Sequence, residues 1–79
     1  MAIMGEAPAT ADILFQMGLD SACGRSGKTD LISAHKWFNL AAMKGNMEAA
    51  RYRKEISGEM SAADIAEAQR SAREWLKLH

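Results

Sequence analysis

A single cysteine, Cys23, has no partner for an internal disulfide, so no disulfide framework and no oxidising compartment is implied; a reducing cytoplasm is the expected setting. Proline occurs once and glycine six times, while hydrophobic residues make up 48% of the chain, a balance that argues for a folded, helical globule over a disordered segment. Neither sign of charge is in excess. Ten Lys and Arg stand against ten Asp and Glu, so nothing steers the whole chain toward nucleic acid or an acidic membrane. No apolar run approaches the roughly 18 residues of a membrane span, and residues 1–10 carry neither the basic start nor the apolar stretch of a secretory signal. The expectation is a soluble, cytoplasmic protein that does not span a membrane. Its 79 residues make one small domain, near the size at which a single apolar core is only just sufficient.

What the sequence does have is helical periodicity. Ala34, Trp37, Phe38, Ala41 and Ala42 recur at the offsets i, i+3, i+4, i+7 and i+8, which places two aromatic rings and three small residues on one helical face. Rings beside alanines let a second helix approach closely, so this stretch is expected to pack helix on helix. Gly45 is suited to the left-handed turn that ends a helix, and Asn46 to the cap of the next.

In chain order, Pro8 suits a first helical turn, and helix one is expected over about residues 9–23. Ile13, Leu14, Met17 and Ser21 form its expected inner face, Asp12, Gln16 and Asp20 a polar stripe, and Phe15, Leu19 and Ala22 a second apolar stripe roughly opposite the first. Residues 24–29 form a loop, Asp30 caps helix two, and helix two ends at Gly45. Helix three follows over about residues 46–59 with Ala49, Tyr52, Ile56 and Met60 inward and an Arg51–Glu55 pair outside. Ser61 with Asp64 resembles a capping box opening helix four, where Ile65, Ala68, Ala72, Trp75 and Leu76 make the buried stripe. No strand pattern is convincing. The expected fold class is all-α: four helices as two successive antiparallel hairpins, residues 9–45 and 46–79.

The residues Met17, Gly18, Gly24, Asp30, Ala34, Trp37, Phe38, Ala41, Ala42, Gly45 and Ala49 resemble the pattern of the Sel-one-like repeat, a relative of the tetratricopeptide repeat that builds α-solenoids. The likeness covers about residues 13–50 as one repeat. Arg53, Met60, Ser61, residues 65–69 and residues 72–75 look like the C-terminal capping region that closes many such proteins. Two positions depart from the pattern: Ser21 stands where the repeat usually carries Tyr, and Ile13 where it usually carries Ala, which implies a packing of its own for the first helix. The resemblance implies a non-catalytic adaptor or accessory subunit with no cofactor, working through contacts with another protein or with a second copy of itself. Repeat units bury their faces against neighbours, so a lone repeat must find a neighbour elsewhere.

Three chemical motifs compete with that expectation. The run Ala-Cys-Gly-Arg-Ser-Gly-Lys-Thr over residues 22–29 satisfies a loose phosphate-loop pattern, but that chemistry needs a buried strand before the loop and an acidic residue on another strand, and the sequence offers neither. Cys23 and His35 do not complete a metal or nucleophile site, since zinc takes about four ligands and a Cys–His pair needs an orienting third group. Arg70, Arg73 and Lys77 on helix four would serve DNA binding, yet Glu67 and Glu74 share their face. A small nucleotide- or DNA-binding regulator is the alternative function. For the adaptor, the expected partner surface is Phe15, Leu19 and Ala22 with the charges of Arg25 and Lys28, unless Ile3 and Met4 fold over that stripe.

Overall fold

The computed structural model describes residues 10–25 and 27–79, so the expectations placed on Ile3, Met4 and Pro8 lie outside the described residues. Four α-helices follow one another, α1 (Ala11–Cys23), α2 (Leu31–Met43), α3 (Met47–Ser57) and α4 (Ala62–Leu78), and the described residues contain no strand.

Each helix begins on a side chain that replaces a missing backbone partner. Thr10 Oγ1 accepts from the Ile13 amide at 3.3 Å and Asp30 Oδ1 from the Ser33 amide at 3.0 Å. Asn46 Oδ1 accepts from the Ala49 amide at 2.9 Å, and Ser61 Oγ from the Asp64 amide at 3.0 Å. Asp30 also accepts from the Ser33 hydroxyl at 2.8 Å, and the Ser33 backbone hydrogen bond is the main reason its carboxyl lies below its usual range. The turns between helices use positive φ where the chain must reverse. Gly24, at φ 72°, ends α1, and Gly45, at φ 108°, lies between the end of α2 and its successor. Asn46 additionally reaches Asp12 Oδ1 at 3.4 Å, tying the α2–α3 turn to the start of α1.

The core is organised around α2. The principal interhelical contacts are α1 with α2, α2 with α3 and α2 with α4. Ala34, Phe38, Leu40 and Ala41 of α2 are all fully buried, joined by Leu14, Ala49, Ala68 and Ala72 from the other three helices. Two aromatic groups lock the neighbours to it. Phe15, Phe38 and Tyr52 form a triangle with ring centroids 5.3–5.7 Å apart, joining α1, α2 and α3. Trp37 meets Trp75 edge to face at 6.2 Å and joins α2 to α4.

Several expectations are corrected here. Helix one turns inward on Leu14, Phe15, Gly18, Leu19 and Ala22; of the expected face Ile13, Leu14, Met17 and Ser21, only Leu14 is buried in the core. The cause is Gly18. A Cβ there would lie 2.5 Å from two ring carbons of Phe38, so only a residue without a side chain lets α1 approach α2 this closely, and the rest of the helix takes its phase from that contact. Ile13 and Met17 are left outside, 49% and 37% exposed. The contact between α3 and α4 expected of a second closed hairpin is not among the principal ones, because the small residues Ala68 and Ala72 and the ring of Trp75 carry α4 onto α2. Arg51 pairs with Glu48 at 2.7 Å in place of Glu55, and Leu76, expected in the buried stripe, is exposed.

Candidate functional site

The partner surface expected on helix one does not form. Phe15, Leu19 and Ala22 are partly buried and packed against the core, with Phe15 held between Phe38 and Tyr52. Arg25 lies on another side, beside Met17, Ser21 and Trp37, with its guanidinium 3.5 Å from Asp20. Lys28 lines a separate depression with Thr29, Asp30 and Ser33, so these five residues do not share one surface.

The 22–29 loop follows a helix, since Ala22 and Cys23 are the last two residues of α1. Two of its described amides are turned back onto the chain. Arg25 N–H donates to Asp20 O at 3.0 Å and Gly27 N–H to Gly24 O at 2.8 Å, whereas a phosphate loop turns its amides outward to the anion. Cys23 is exposed, with its thiol 3.7 Å from the Asp20 carbonyl. On α4, Arg70 pairs with Glu67 one turn away, as charges do on a solvated helix.

A groove of about 770 Å³ lies over α2, between α3 and α4. It exists because α3 and α4 each pack on α2 more than on each other, leaving part of α2 as a floor between them. His35 and Asn39 form that floor, Arg53, Lys54 and Ser57 with Ala50 and Arg51 form one wall, and Ile65 and Gln69 form the other. Asn39 Oδ1 accepts from an Arg53 guanidinium N–H at 2.6 Å, and Ser57 Oγ donates to the Arg53 carbonyl at 2.8 Å, so Arg53 is held in place from both ends.

His35 is the unexpected member. The residue is only 3% exposed, and its Nδ1 is a buried polar atom without a hydrogen-bond partner among the described residues. Burial lowers its pKa below the ordinary imidazole value, and the neighbouring charge of Arg53 pushes the same way, so the ring is neutral at pH 7. Among the described residues every ionisable side chain on the walls is a cation, and no carboxylate lines the groove. Sequence reasoning missed this site because its members fall on three helices whose relative placement the pattern does not encode. The only signal was His35 beside the Ala34 position of the core stripe.

Such a groove can hold an extended segment by hydrogen bonding and charge; among the described residues no three His, Cys, Asp or Glu side chains gather as metal ligands would. The resemblance to Sel-one-like repeats rests on the residue pattern alone: no family model, curated protein or solved structure matches the chain.

Proposed function

We propose that the chain is a non-catalytic protein-interaction module, an adaptor or accessory subunit, that receives a segment of another protein in the groove over α2. The fold proposed with it is of the Sel-one-like and tetratricopeptide kind: α1 and α2 as one repeat hairpin, α3 and α4 as a closing hairpin whose two helices stand apart. The observation that carries this reading is the groove itself, with a buried and unpartnered His35 in its floor and amides, a hydroxyl and cations along its walls. The exposed, lone thiol of Cys23 suits a reducing cytoplasm.

The experiment is site-specific photo-crosslinking in the native host. A photoreactive residue at Gln69, on the groove wall, is expected to capture a discrete protein, and the same residue at Glu74, outside the groove, is not. Capture of nucleic acid, of nothing, or of the same proteins from both positions would remove the reading.

A further inference from the structure

We infer that the groove is a seat for an acidic peptide segment, with a carboxylate of the occupant held by Arg53 and by Lys54 beside it. This rests on the protein-binding reading of the groove and adds the chemistry of the partner.

The charges on the walls decide the sign of the occupant. Arg51 is engaged by Glu48 at 2.7 Å, whereas Arg53 and Lys54 have no carboxylate partner among the described residues. The groove therefore presents two uncompensated positive charges on a chain whose net charge is zero. That suits one or two carboxylates. A nucleic acid strand gains its affinity by neutralising many phosphates at once, and a pair of cations does not offer that.

The geometry favours a carboxylate at Arg53 in particular. Its guanidinium is oriented beforehand by the 2.6 Å hydrogen bond to Asn39, so little side-chain freedom is lost when an anion arrives, and a planar guanidinium with N–H groups to spare matches the two oxygens of a carboxylate. The uncharged lining suits a peptide backbone. Asn39, Ser57 and Gln69 offer donors and acceptors for amide groups, while Ile65 offers an apolar contact for a side chain.

The test pans short random peptides, displayed on phage, against the full chain at physiological ionic strength. A synthetic peptide of the enriched sequence is then compared with its isostere, in which Asp and Glu are replaced by Asn and Gln. Acidic sequences are expected to be enriched, and the isostere to bind more weakly by about tenfold or more. Arg53→Gln is expected to give a similar loss. Lys54→Glu, at an exposed position where folding is undisturbed, is expected to weaken the acidic peptide even if Arg53→Gln proves unstable. Enrichment of peptides without acidic residues, binding unchanged by Lys54→Glu, or displacement by inorganic phosphate or a short oligonucleotide at equal concentration would each overturn the inference. Non-acidic peptides that occupy the groove would overturn it while leaving the protein-binding reading intact. No enriched peptide together with no crosslink from Gln69 would remove both.

Discussion

Gly18 has no room for even a methyl group, because the buried ring of Phe38 fills the space and is itself wedged between Phe15 and Tyr52. Gly18→Ala should therefore destabilise the protein by about 1–3 kcal/mol despite the better helix propensity of alanine, a sign that thermal melts of the two proteins will test. Phe15→Asp belongs to the same contact. On the expected helix phase it would have spared the fold and cost only a partner; with Phe15 against Phe38 and Tyr52 it should cost folding itself, read as loss of far-ultraviolet circular dichroism. His35 gives a pH dependence. Its folded pKa lies below 6.5, so between that lowered value and about 6.5 the unfolded chain binds more protons and stability rises with pH. Urea midpoints should fall as the pH is taken from 7.5 toward about 5.5, and His35→Gln should flatten that slope. Core membership of Ala34, Phe38, Ala41 and Ala49 was legible from spacing alone. The orphaned Nδ1 was not, because burial of a polar ring beside an apolar stripe depends on what the neighbouring helices place above it.

Caps and turns obey local chemistry, which is why Asp30, Asn46, Ser61 and the reversal at Gly45 were readable from residue order alone. Each involves residues three or four apart, and such contacts form wherever the backbone turns helical. Helix one lay at the limit of that method. Its true cap is Thr10, and its inner face stands next to the one expected, because a helix apolar on two sides has no phase of its own until a neighbour chooses one. Asn46 links two scales, since it caps α3 and also reaches Asp12 on α1. Asn46→Ala should cost about 1 kcal/mol for the lost cap and somewhat more than Ser61→Ala, whose side chain serves only its own helix; chemical denaturation of the two variants compares them.

For the whole molecule, one helix is the shared wall. With α1, α3 and α4 all resting on α2, no helix is expected to melt by itself, so tryptophan fluorescence, which reports the Trp37–Trp75 contact, should follow the same transition as helicity. An earlier fluorescence transition would mean that α4 leaves first. Phe38→Ala should remove about 3–5 kcal/mol, a large share of the few kcal/mol available to so small a domain, and unfold it near room temperature. The sequence by itself determined the helices, their caps and the identity of the central one, since periodicity and capping act over three or four residues and need no distant partner. Tertiary structure alone decided which side of α1 faces inward, that α4 rests on α2, and therefore that His35, Arg53 and Gln69 share one groove. Those outcomes depend on how closely packed helices can approach, and that distance is set where a glycine on one meets a ring on another.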